Sequence, residues 1–140
     1  LWVLDRIEPT VELRLAALFH DVGKPPSCTV GEDGDRHFYQ HELFSERLAQ
    51  ARLEALRFAG DLSTNVSVLV RHHMRPLDCG PAGVRRLMRD LGPLMDRWLS
   101  LKRADSPPKM GSAEFEAQLG SFVALLAAER AAGLGHEGLL

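Results

Sequence analysis

Cysteine, aromatic residues and long apolar runs are all scarce in this chain, and each scarcity removes a class of protein. The two cysteines, Cys28 and Cys79, stand far apart and in no CxxC pair, which excludes a disulfide framework and makes a reduced, cytoplasmic setting the expectation. The longest apolar stretches, such as Leu15 to Phe19 and Phe122 to Ala128, are too short to span a bilayer, and the opening residues do not read as a signal peptide. Strand-like alternation is almost absent, and there is no internal repeat or low-complexity segment. What remains is ordinary for a globular chain: 140 residues, 45% apolar and 26% charged, enough for one domain with a real core. The net charge of −2 conceals an asymmetry. Arg71 to Lys109 holds nine Lys/Arg against four Asp/Glu, a balance of +5, and the rest of the chain is −7. A locally basic stretch suits a phosphate-bearing partner; a set of solvated helix faces is the plainer alternative. That stretch has no aromatic interleaving to stack bases, so little sequence selectivity towards a nucleic acid is expected.

Helical periodicity dominates. Residues 1–8 read as the tail of a helix that starts without a cap. Pro9-Thr10 opens a second helix through Val11–Val22, apolar nearly all round and expected to be buried. Gly23 suits the residue after its last turn, and Pro25-Pro26 prevents continuation. A polar loop follows, with a brief extended stretch at His37-Phe38-Tyr39. Further helices are expected from Gln40 to Phe58, from a cap at Asp61 or Ser63 to Met74, from Pro81 to Leu91, from Pro93 to Asp105 and from Ser112 to Ala132, with 133–140 as a frayed tail. Seven helical segments and no sheet predict an all-α, irregular helical bundle in one domain, 1–140.

The histidines are placed at helix ends, where side chains from several helices can converge. His20-Asp21 closes the second helix, His41 opens the third, and His72-His73 closes the fourth. Imidazole with carboxylate suits Zn, Mn, Fe, Co or Ni rather than Ca, and the two oxygens of Asp21 could bridge two ions. A helix-end hydrogen bond is the alternative reading of the pair. Val66, Leu69, Val70 and His73 form one stripe, so His73 faces the core, as a ligand or as a hydrogen-bonded core histidine. His72 points a quarter turn away, towards solvent or substrate. His41 shares a face with Phe44 and Leu48 and can point inward. Leu94, Trp98, Leu101 and Asp105 form a stripe that places a carboxylate on an apolar face, where it needs a cation or hydrogen-bond donors.

Leu18-Phe19-His20-Asp21-Val22-Gly23-Lys24-Pro25 resembles the HDxGK signature of the HD superfamily of metal-dependent phosphohydrolases. His37 to Glu42, Leu53 to Phe58, Leu69 to Met74 and Arg103-Ala104-Asp105 are similar, in the same order, to the HD domain of bacterial tRNA nucleotidyltransferase/poly(A) polymerase family proteins. The resemblance implies that His20, Asp21 and Asp105 ligate a first divalent ion, that His41 and His73 serve a second, and that Lys24 stands near the substrate phosphate. The ion would be Mn, Ni, Co, Fe, Zn or Mg. The family pattern begins with a further His upstream of the dyad. No His precedes His20 here: either the first helix is truncated or the ligand is absent, and without it the first ion would keep three protein ligands and bind more weakly.

The expected activity is hydrolysis of a phosphate ester, on a nucleotide or an RNA end, with Asp21 and Lys24 as catalytic groups and Lys24, His72, Arg71 and Arg75 neutralising the phosphate. The alternative is a non-catalytic tRNA- or RNA-binding HD domain that uses the basic 71–109 stretch, where Arg85 and Arg89 share a helix face beside Arg86.

Overall fold

The computed structural model describes residues 2–24, 28–30, 36–38, 40–105 and 111–137. Helix α1 (Trp2–Arg6) leads into α2 (Val11–Phe19), which Thr10 caps: its backbone is extended and its hydroxyl accepts the Leu13 N–H at 3.3 Å. Two short strands, β1 (Cys28–Val30) and β2 (Arg36–Phe38), pair antiparallel with Cys28 opposite Phe38. The extended stretch expected at 37–39 is thus half of a small hairpin whose other strand the sequence pattern did not suggest. Its turn, like Tyr39 and Pro25-Pro26, lies outside the described residues. Helix α3 (His41–Ala55), α4 (Gly60–Arg71), α5 (Gly80–Leu91), a 3₁₀ turn (Gly92–Leu94), α6 (Met95–Ala104) and α7 (Ser112–Glu137) complete an all-α architecture. Among the described residues no helix is long and apolar enough to cross a membrane.

Three boundaries differ from expectation. Helix α2 stops at Phe19, and His20 to Gly23 form a turn. Helix α4 is entered from Ala59 without a side-chain cap: Asp61 sits in its first turn, and the Ser63 hydroxyl is buried without a partner. Helix α7 continues past Ala132 to Glu137. Helix α2 is not buried all round. Leu13, Ala16 and Ala17 face the core, while Val11 and Leu18 are 60% and 54% exposed. An apolar composition buries only the face that a neighbour covers.

The chain divides into two compact units, Leu1–Met74 with Asp96–Asp105, and Arg75–Met95 with Ser106–Leu140. In the first, α4 packs on α3 and α2, and α1 packs on α2, around Val3, Leu13, Leu53, Val66, Leu69 and Val70. Helix α6 joins this core through Trp98, Leu101 and Ala104. Trp98 is completely buried, and its indole N–H donates to the His72 carbonyl at 2.8 Å. Burying one large apolar side chain is worth roughly 1.5–3 kcal/mol. The surface pair Arg97–Glu12, which also ties α6 to α2, is worth about 1 kcal/mol at most, so Trp98 dominates the docking of α6. In the second unit α5 packs on α7, with Val84, Leu87, Leu91, Leu119, Phe122 and Leu126 buried.

Helix α3 ends in a left-handed cap. The Phe58 N–H bonds to Leu53 O and the Arg57 N–H to Glu54 O, with Arg57 at φ 61°. A side chain in that conformation costs about 1 kcal/mol that glycine avoids. Arg57→Gly should therefore raise the melting temperature by an amount equivalent to about 1 kcal/mol, measured by thermal denaturation; an unchanged or lower value would mean that the Arg57 side chain stabilises the chain elsewhere.

Candidate metal centre

Four helix termini of the first unit supply the site. His20 caps the C-terminus of α2, and its buried ring places Nδ1 2.6 Å from Ala17 O, three residues back. His73, just past the end of α4, does the same with Val70 O at 2.5 Å. A carbonyl only accepts, so in both rings Nδ1 carries the proton and Nε2 of the neutral ring is a bare lone pair, the form that ligates a metal. His41, at the start of α3, is buried too. Asp105 follows the last turn of α6, and its N–H bonds to Leu101 O at 2.9 Å.

Asp21 is the meeting point. Its Oδ1 lies 3.1 Å from His41 Nε2 and 3.4 Å from His73 Nε2, and those two nitrogens are 3.0 Å apart. Donor atoms that share one ion at a bond length of ~2.1 Å stand ~3.0–3.4 Å apart, for octahedral and tetrahedral angles respectively. The triangle Asp21–His41–His73 has those dimensions. The other oxygen, Oδ2, lies 3.2 Å from both His20 Nε2 and Lys24 Nζ, and His20 Nε2 is 3.4 Å from Asp105 Oδ1. His20 Nε2 is buried and makes no well-directed hydrogen bond, so charge rather than a directed bond holds it between the two carboxylates. An orphaned buried nitrogen beside two carboxylates fits a cation.

The electrostatics agree. Burial opposes a charge on His20, but Asp105 and Asp21 outweigh it and push its pKa up to about 10 in the metal-free chain. Burial also raises the carboxyl of Asp21, yet His20, His73 and Lys24 hold it far below the usual carboxylate range. His20 and Asp21 thus favour each other's charged form.

The structure thus brings together His20, Asp21, His41, His73, Asp105 and Lys24. His72 is half-buried, and its carbonyl is held by Trp98. Arg71, at the last turn of α4, stands 3.5 Å from Glu46. Arg75 belongs to the second unit, where it pairs with Asp90 at 2.6 Å. The face of α3 differs from expectation. His41 is continuous with buried Ser45, Ala49 and Leu53, whereas Leu48 is 43% exposed. Gly23 also has a different role. Its φ is not positive; a Cβ there would come within 2.4 Å of His41 O and Ser45 N. Sequence reasoning missed Ser45, and the signal available was the i, i+4 run of small residues after His41.

Because the folded pKa of His20 is raised, the stability its proton contributes is complete below pH 6.5 and lost as pH rises to about 10. A cation bound at Nε2 must expel that proton. Titrating Mn²⁺ into the metal-free chain at pH 7 should release about one proton, read as a heat that varies with the ionisation enthalpy of the buffer. A buffer-independent heat would place the cation elsewhere.

The HD domain family matches residues 3–106. The A-adding tRNA nucleotidyltransferase of Deinococcus radiodurans is 35% identical over 119 residues, covering 84% of this chain and 27% of that protein. The CC-adding tRNA nucleotidyltransferase of Thermus thermophilus is 37% identical over 99 residues, covering 70% and 23%. The chain therefore spans about a quarter of the length of the curated relatives it matches. With the family matched across most of its length and the His20-Asp21 pair at its centre, this chain belongs to the HD domain family.

Proposed function

We propose that the chain is a metal-dependent phosphohydrolase acting on a nucleotide or RNA-end phosphate ester. The observation that carries this reading is the triangle of Asp21 Oδ1, His41 Nε2 and His73 Nε2, with separations of 3.0–3.4 Å. In this reading His20, Asp21 and Asp105 would hold one divalent ion, and His41 and His73, with Asp21, would hold a second where one binds. A bound divalent ion lowers the pKa of water towards neutrality and offsets charge that develops on phosphoryl oxygens.

The side chains have separable tasks. Asp21 supplies the anionic donor, one oxygen to each half of the site. His20 and His73 present Nε2 in fixed directions because backbone carbonyls hold Nδ1. Lys24, about two-fifths exposed and 3.2 Å from Asp21 Oδ2, can swing to a substrate phosphate. Arg71 and Arg75 already have carboxylate partners, which a phosphate would have to displace. Lys24 is paired as well, but with Asp21 of the cluster itself, so on this reading it is the phosphate contact that stands at the site, with His72 next to His73 in sequence.

With Mn²⁺ added, the chain should hydrolyse a chromogenic phosphodiester or a nucleotide phosphate. Asp21→Asn keeps the shape and removes the anion, so the rate should fall about 100-fold or more. Lys24→Ala should weaken substrate binding while leaving the bound ion in place. Hydrolysis that survives Asp21→Asn would assign the activity to another site or another protein.

The names of the two relatives favour a second reading, contact with tRNA through the arginine-rich stretch. Arg85 is 2.9 Å from Glu129 and Arg89 is 3.1 Å from Asp90, so this ridge is partly neutralised and any binding should be weak. Filter retention of tRNA should appear at low salt and fall steeply as salt is added. Equal retention by the wild type and an Arg85→Glu/Arg89→Glu variant removes the basis for this reading.

A further inference from the structure

The turn that carries His20 and Asp21 rests on α3 through one close approach and one hydrogen bond. Gly23 stands so near the helix that a Cβ would reach within 2.4 Å of His41 O and Ser45 N and 2.7 Å of Phe44 Cβ. At the same point the Gly23 N–H donates to Ser45 Oγ at 2.8 Å. Ser45 is completely buried, one helical turn beyond His41 on the same inward stripe. Gly23 lets the turn lie on the helix backbone, and Ser45 fixes where along the helix it lies.

We propose that Ser45 is a positioning residue of the metal centre: by holding the Gly23 N–H it sets Asp21 Oδ1 against His41 Nε2, the contact at 3.1 Å. The inference rests on the metal-binding reading of the site. A buried N–H that loses its acceptor must find another. Gly23 is already at contact distance, so the turn can only move away from α3. Asp21 lies two residues back on that turn, while His41 stays with the helix, so any such movement opens the donor triangle from one corner. Loss of groups that orient ligands costs metal sites about 10–100-fold in affinity.

The test uses the 140-residue chain and Mn²⁺ alone. Ser45→Ala should bind Mn²⁺ about 10–100-fold more weakly, and the visible absorption of a Co²⁺-loaded sample should shift. Ser45→Cys keeps a weak sulfur acceptor and should fall between the two; it also serves where Ser45→Ala does not fold. Ser67→Ala is the control. Ser67 is also buried and bonds to Ser63 O in its own helix, so its loss should lower the melting temperature without changing Mn²⁺ affinity. Wild-type affinity and spectrum in the folded Ser45 variants would overturn the proposal. A wild type that binds no Mn²⁺ overturns the reading of the site instead. In that case amide exchange in the metal-free chain still decides for Ser45: Gly23 should exchange faster in Ser45→Ala, and unchanged protection would show that Ser45 does not hold the turn.

Discussion

A histidine at the end of a helix can satisfy one of the carbonyls the helix leaves open, and the site depends on this. His20 gives Nδ1–H to Ala17 O and His73 gives Nδ1–H to Val70 O, each three residues back in its own helix. The bond meets a need of the helix terminus and fixes the ring in the same stroke. With Nδ1 committed to the backbone, Nε2 can only point forward, beyond the helix. Two helices that end at the same place therefore deliver two nitrogens to one point, where Asp21 meets them with one oxygen for each direction.

Holding those ends together is the work of the packing. Helix α4 is pressed against α2 and α3 by aliphatic side chains, and α6 is docked by the buried Trp98. The Trp98 indole also holds the carbonyl of His72, next to His73, while the same helix delivers Asp105. Trp98 thus fixes the end of α4 relative to the end of α6, and Ser45 fixes the end of α2 relative to the start of α3. Two hydrogen bonds outside the donor set relate all four termini.

Much of this was legible in the sequence where large side chains mark a face. The stripe through Val66, Leu69, Val70 and His73 and the stripe through Leu94, Trp98, Leu101 and Asp105 place their terminal residues where the structure has them. The face of α3 was not legible, because it is built from small residues. Ser45 and Ala49 give a weak hydropathy signal, yet both are completely buried, and Ser45 is where the turn at Gly23 meets the helix. Phe44 and Leu48 pull a pattern reading to the wrong side. For the same reason α2 looks buried all round: hydropathy records what a face would prefer, and only the neighbours decide what is covered. The hairpin 28–30/36–38 is too short to show alternation.

The two halves of the cluster bear unequally on the choice between catalysis and passive RNA contact. A proton suffices for His20: held between Asp21 and Asp105, it gives a stable ion triad without any metal, and such triads occur for purely structural reasons. The other half is built from two histidines and the second oxygen of Asp21. His41 Nε2 and His73 Nε2 face each other at 3.0 Å, both also directed at Asp21 Oδ1. A single N–H···N bond matches the two nitrogens to each other, and three donor atoms at these separations are also spaced as donors that share one ion. A divalent ion satisfies all three donors at once. The spacing of the triangle, more than the His20-Asp21 pair, is therefore what the proposed metal chemistry rests on.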